Sequence, residues 1–192
     1  MKMTRRKFLN VSTAAAVVCA ATLLPVEKAA AAQQTMAAQE LLEQAYLYAF
    51  PLVLMDATRK VSTNTETPND TRAPINQFIH AKKLADAASR AVVTPNVDTI
   101  YTQAFLDVSA EPMLYGVPQT DRFFNVQVLD AWTNTVAVLE APGLYAITRS
   151  DWQGKLPEGV QRINVPTNMV WTIARIVLSG QEDLPNVRAI QD

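Results

Sequence analysis

The side chains able to do chemistry are few, and most of them fall in four short stretches. Asn96 and Asp98 follow a proline in VVTPNVDTIYTQAFLDVS, Val92–Ser109, and Asp130, Trp132 and Asn134 recur at alternate positions in FFNVQVLDAWTN. Trp171 and Arg175 stand four apart in NMVWTIARIVL, and His80 is the chain's only histidine. Asp98 or Asp130 could activate water with His80 assisting, which would make a hydrolase. Alternatively Asp130 and Arg175, walled by Trp132 and Trp171, could hold a small polar ligand, anionic or hydroxylated. Each group also has a plainer role. Asn96 and Asp98 suit an Asx turn before a strand, Asp130 and Arg175 a structural ion pair, and Tyr101 and the indoles a core with satisfied polar tips. His80 could simply cap or pack under a helix.

Other chemistries are excluded or unsupported. A single histidine rules out a His-rich zinc site. Asn96, Asp98, Asp130 and Asn134 offer oxygen atoms to a hard cation, but their spacing matches no calcium loop, so no metal is assigned. Neither a P-loop nor a GxGxxG pattern is present, and no cofactor is expected.

The start of the chain reads as an address. Thr4-Arg5-Arg6-Lys7-Phe8-Leu9 is similar to the twin-arginine export pattern, the apolar run Val11–Leu24 is short for a membrane span, and Ala30-Ala31-Ala32 has the small-x-small form of a cleavage site. Residues 1–32 are therefore predicted to be a signal peptide, with the mature protein periplasmic or extracellular and no stable membrane insertion. Cys19, the only cysteine, lies within it. A lipid anchor there is disfavoured by bulky Val18, and the mature chain has no disulfide, thiolate metal site or thiol nucleophile. That chain keeps 12 basic against 17 acidic residues, a net charge of −5. With no basic run, it is a poor nucleic-acid binder.

These residues must be positioned by two kinds of element. Helical spacing of Leu41, Leu42, Ala45, Tyr46, Ala49, Leu52 and Val53, with Glu40 and Glu43 opposite, predicts a helix from Met36 to about Lys60, kinked or restarted at Pro51. Residues 62–74, STNTETPNDTRAP, read as a loop, and Ile75–Ala91 as a short helical piece closing a helical region over 33–91. From 92 to 192 the period becomes two. Thr99–Val108, Phe123–Leu139, Leu144–Thr148 and Met169–Leu178 read as strands before a polar helical ending at Gln181–Asp192, so an antiparallel sandwich or barrel is expected.

Strand parity singles out two charges. Ile100, Ala104, Leu106 and Val108 share a face, and Phe124, Val126 and Val128 lead in register to Asp130. Met169, Trp171, Ile173 and Val177 share a face that includes Arg175. A lone buried charge is too costly to keep, so each needs a partner, a bulge or a wet pocket.

TPNVDTIYTQAFLDVS, VPQTDRFFNVQVLDAWTN and LPEGVQRINVPTNMVWTIARIVLSGQEDLPNVRAIQD, with AYLYAFPLVLM and NQFIH upstream, together resemble the bacterial "domain of unknown function 1254" family over nearly all of the mature chain. The resemblance implies an exported protein with N-terminal α-helices and an immunoglobulin-like β-sandwich, usually followed by a jelly-roll "domain of unknown function 1214", and no general activity. Its pattern falls on Asn76, Phe78 and His80, on Pro95, Asn96, Asp98, Thr99 and Tyr101, on Asp130, Trp132, Thr133 and Asn134, and on Pro166, Thr167, Asn168, Trp171 and Arg175. Departures include Asp121-Arg122-Phe123-Phe124 where the family usually has Gly-Arg-Tyr-Tyr, and a short segment after Asn134. The chain stops at Asp192, where the second domain would approach, so it reads either as a split or truncated member or as one whose partner half is a separate chain. Three functions are thus open. The leading one is a small-ligand module using Asn96, Asp98, Tyr101, Asp130, Trp132, Asn134, Trp171 and Arg175. The others are a hydrolase using Asp98 or Asp130 with His80, and a structural or interaction half completed by a 1214-type domain.

Overall fold

Alternating apolar residues in the C-terminal two thirds of the chain build two β-sheets around one shared core. The computed structural model describes residues 35–90 and 92–192, so the predicted signal peptide, its cleavage site and Cys19 lie outside the described residues. The chain divides into two compact units, Met1–Phe50 and Pro51–Asp192.

Helix α1 is assigned over residues 35–62, its first part in the first unit and its last turns in the second. The assignment continues through Pro51, so no second helix begins there. In the second unit, Asp56 takes hydrogen bonds from Arg59 and pairs with Lys60, while Thr58 Oγ1 donates to the Leu54 carbonyl. These local contacts knit the last turns. The loop that follows ends where the Ala73 N–H donates back to the Ser62 carbonyl.

The helix expected over 75–91 is not formed among residues 75–90. Asn76 takes a left-handed backbone with φ 64°, an angle asparagine tolerates better than most residues. Its N–H donates to the Phe105 carbonyl, and its Oδ1 accepts the Asp107 N–H. Those two bonds dock the segment on the sheet, and the strand β1, Ile79–His80, then pairs with Gln103 and Thr102.

The first sheet has the order β1-β2-β8-β4-β5, all antiparallel, with β2 Thr99–Asp107, β4 Phe124–Leu129, β5 Thr135–Leu139 and β8 Met169–Val177. The second has the order β3-β6-β7, with β3 Met113–Val117, β6 Gly143–Arg149 and β7 Val160–Val165. Here β6 and β7 are parallel, an exception to the all-antiparallel expectation. The connection 150–159 is long enough to return the chain to the same end, which a parallel pair requires. Gly159, at φ +81°, makes the turn into β7.

Inward residues of both sheets meet in one cluster that includes Ala104, Leu106, Val126, Val128, Ile147, Val165, Val170 and Ala174. A smaller cluster, Ile100, Ile176 and Val187, seats helix α2, Leu184–Gln191, after a single 3-10 turn at Gln181–Asp183. On the outer face of the first sheet, Met55 of α1 packs with Phe105 and Leu129 against Trp171 and Ile173. The described residues are thus mainly β, with antiparallel pairing predominant and two α-helices among them.

Candidate functional site

The parity of β8 decides where its charge lies. Val170, Thr172, Ala174 and Ile176 are the buried set, and Met169, Trp171, Ile173 and Arg175 form the half-buried outer row. The expected core face was therefore the other one, and Arg175 is not aimed into the core. In β4 the inward face is Val126 and Val128 as expected, and the irregularity between Val128 and Leu129 lies in the pairing with β5, where Val136 is skipped, while the β4–β8 register runs unbroken to Leu129. Asp130, just past the strand, stays buried and is met by local donors.

Asp130 is 3% exposed and fully occupied. Its Oδ1 accepts the backbone N–H groups of Trp132 and Asn134, both at 2.9 Å, and its Oδ2 accepts the Asn134 side-chain amide at 3.0 Å. The turn closes with the Asp130 N–H on the Asn134 carbonyl and with Thr133 at φ 67°. Three charge-assisted bonds to local N–H groups replace the counter-ion. The Asp130–Arg175 ion pair does not form.

Arg175 instead donates from Nη2 to Gln127 Oε1 at 2.9 Å and lies 5.7 Å from the Tyr101 ring centre. Register explains the company, because Tyr101 and Asn125 flank Arg175 on the neighbouring strands. Among the described residues no carboxylate lies within ion-pairing distance of it. Further along this face Phe105 and Trp171 stack at 5.3 Å, 9° from parallel, and Trp171 Nε1 is buried without a hydrogen-bond partner.

Asn96 makes the turn expected of it: its Oδ1 accepts the N–H groups of Asp98 and Thr99 at 2.7 and 2.9 Å. The Asp98 side chain is exposed, and its carbonyl accepts the Leu178 N–H. Asn96 and Asp98 lie at the start of β2, whereas Asp130, Trp132 and Asn134 lie beyond the Leu129–Trp171–Phe105 row near its other end. At ~3.3 Å per residue the two groups are roughly 25 Å apart. Of the expected ligand-binding residues only Tyr101 with Arg175, and Asp130 with Trp132 and Asn134, are brought together. Trp171 belongs to the aromatic stack.

His80 shares no hydrogen bond with either carboxylate. Its Nδ1 lies 2.9 Å from Thr102 Oγ1, and its ring sits 5.6 Å from that of Phe78, which in turn meets Tyr115 edge-on. Gln191 of α2 donates to Thr102 Oγ1 at 3.1 Å and to the carbonyls of Ala81 and Tyr101. These side chains line a pocket of about 70 Å³ at one end of the two sheets. Burial, helped by the Lys82 charge, holds the imidazole below its ordinary value, with Asp192 acting the other way. Burial also pushes the Tyr115 phenol up to about 12, against a hydrogen bond with Thr172. Nothing local in the sequence groups Thr102, Tyr115 and Gln191, since each lies on a different element.

A larger open groove, about 410 Å³, runs between the last turns of α1 and the sheet, lined by Leu52, Val53, Asp56, Arg59, Ala131 and Met169. Its character is apolar with one ion pair at its edge. Among the described residues, no group of three or more His, Cys, Asp or Glu side chains is placed to hold a metal ion, and no helix is long and apolar enough to cross a membrane.

The described residues form two mainly β sheets in which the Asp130 carboxylate is bonded within its own turn and the Asp98 side chain is exposed. The chain belongs to the family described as "Protein of unknown function (DUF1254)", whose model matches residues 75–192. Among solved structures it is similar to the VPA0106 protein from Vibrio parahaemolyticus, at 24% identity and a TM-score of 0.64, over 80% of this chain and 36% of that one. The chain therefore spans about a third of that protein's length, and the likeness is one of fold. Comparison with curated proteins finds no match.

Proposed function

We propose that this chain is an exported interaction half, a β-scaffold that presents helix α1 to a second protein domain. The observation that carries this reading is the exposure of large apolar side chains along α1: Leu41 66%, Leu42 70%, Tyr46 63% and Leu47 70%, with Val53 and Leu54 also exposed. At about 100° per residue these positions lie on more than one side of the helix, with Glu40 and Glu43 between them. Exposed apolar surface of this kind marks an interaction site. The 1214-type domain suggested by the family resemblance is the occupant proposed. The length of the Vibrio protein, of which this chain covers 36%, is in keeping with a second domain there.

Export rests on the Thr4–Leu9 hexamer and Ala30–Ala32. The reading of the two sheets as an immunoglobulin-like sandwich rests on their shared core and mainly antiparallel pairing. Small-ligand binding through Tyr101 and Arg175 has the unpaired guanidinium in its favour. Hydrolysis has less support, because Asp130 is committed to its turn and His80 to Thr102. The test is sedimentation of the mature chain mixed with a separately made 1214-type domain. A one-to-one complex, abolished by Leu42→Glu with Leu47→Glu, is expected. A chain that remains monomeric and ignores the added domain contradicts the proposal.

A further inference from the structure

Arg175 is the only Lys or Arg in the five strands of the first sheet, and among the described residues no anion meets it. Tyr101, Arg175 and Asn125 stand opposite one another on β2, β8 and β4, on the sheet's outer face. Neighbouring strands lie ~4.8 Å apart, so this row spans about 10 Å of surface. Gln103, Ile173 and Gln127 form the next outward row. Gln127 fixes the guanidinium from one side: its Nε2 donates to Thr135 Oγ1 at 2.7 Å, which turns its Oε1 to accept from Arg175 Nη2 at 2.9 Å. The Tyr101 ring, 5.7 Å from the guanidinium carbon, supports it from the other. A side chain held in this way has given up rotamer freedom before any ligand arrives.

Most of the donors on this face are unused and accessible. Among the described residues the polar side-chain atoms buried without a partner are Thr99 Oγ1, Asn125 Oδ1, Trp171 Nε1 and Gln191 Oε1. Arg175 Nε and Nη1, the Tyr101 hydroxyl, the Asn125 amide nitrogen and the Gln103 amide make no hydrogen bond to protein either, and since they fall outside that buried set they reach solvent. A cation, a hydroxyl and two amides thus share one open stretch of sheet beside Ile173. We propose that this face binds the carboxylate of a small hydroxylated acid, with the carboxylate on Arg175 and the hydroxyls on Tyr101, Asn125 and Gln103. Charge-assisted bonds from a guanidinium to a carboxylate are the strong ones here, and the neutral groups add orientation. One cation balances one negative charge, so a monocarboxylate is favoured over a phosphate, which carries nearly twice the charge. None of these residues lies on α1, so the site is independent of the partner proposed for that helix.

Glucuronate is the probe, a sugar with one carboxylate, and glucose is its uncharged counterpart. Nitrogen-15 correlation NMR of the mature chain at about pH 6, where carboxylates are ionised, follows the Asn125 and Gln103 side-chain amides and the Arg175 Nε–H. Saturable shifts at these groups are expected with glucuronate, at about millimolar affinity for so few contacts, and none with glucose. Arg175→Gln, with the rest of its spectrum unchanged, should weaken binding by about tenfold or more, as the loss of a charge-assisted hydrogen bond implies. Equal shifts with glucose, tighter binding of inorganic phosphate, or a glucuronate response that survives Arg175→Gln undiminished overturns the proposal. So does the absence of a saturable response to glucuronate in the unmodified folded chain, a result that needs no variant.

Discussion

Asp130 and Arg175 are held by different neighbours, and their energetics should be independent. Asp130→Ala strands three donors of the β4–β5 turn and should cost about 2–3 kcal/mol, the usual range for hydrogen bonds to a charged group. Arg175→Met loses contacts to Gln127 and Tyr101 only. In chemical denaturation the double variant should equal the two singles added, within about 0.5 kcal/mol. A coupling well beyond that would restore the ion pair that strand parity suggested. The sequence made both charges conspicuous, and it made the Asn96 turn legible because Asx turns are local. What it could not show was the register shift after Val128 or which face of β8 is inward. Both faces of β8 carry apolar residues, since Met55 covers the outer one, and alternation then has no unique solution.

At the scale of elements, two contacts decide how the ends of the chain are held. Arg122, ahead of β4, donates to both carboxylate oxygens of Asp183 at 2.6 and 3.1 Å and to the Val177 carbonyl, while Asp183 also accepts from Ser179 and Asn186. The Arg122 guanidinium, then the Ser179 N–H and the Asn186 amide, hold the Asp183 carboxyl well below the usual carboxylate range. The folded state thus binds this proton less readily than the unfolded chain. Its stabilisation is present above about pH 4 and is lost as the pH falls through the folded value. Thermal unfolding between about pH 5 and pH 2 should therefore show a steeper loss for the parent than for Asp183→Asn, and equal slopes would contradict the assignment. Helix α1 makes a second contrast. Met55→Ala removes a side chain that is 2% exposed and should cost about 2–4 kcal/mol, whereas Leu42→Glu on the same helix should leave the melting temperature of the β domain unchanged. Most strands with a clear period of two were readable. β3 and β7 were not, because β3 contains Gly116 and edge strand β7 buries only Val165. The piece around Asn76 read as helix because its pairing with β2 is a long-range event that no local pattern records.

For the molecule as a whole, the proposed reading turns on the large apolar side chains exposed along α1. The helix was legible from its spacing. What would cover it was not, since apolar spacing specifies a face to be buried and says nothing of what buries it. The pattern ran through Leu41, Leu42 and Tyr46, and in the structure all three are exposed. Sedimentation velocity of the mature chain alone, over a range of concentrations and beside Leu42→Glu with Leu47→Glu, tests this most directly. Concentration-dependent association of the parent chain, absent from the double variant at unchanged fold, is the predicted result. A strictly monomeric parent, indistinguishable from the variant at every concentration and binding no apolar dye, would contradict it.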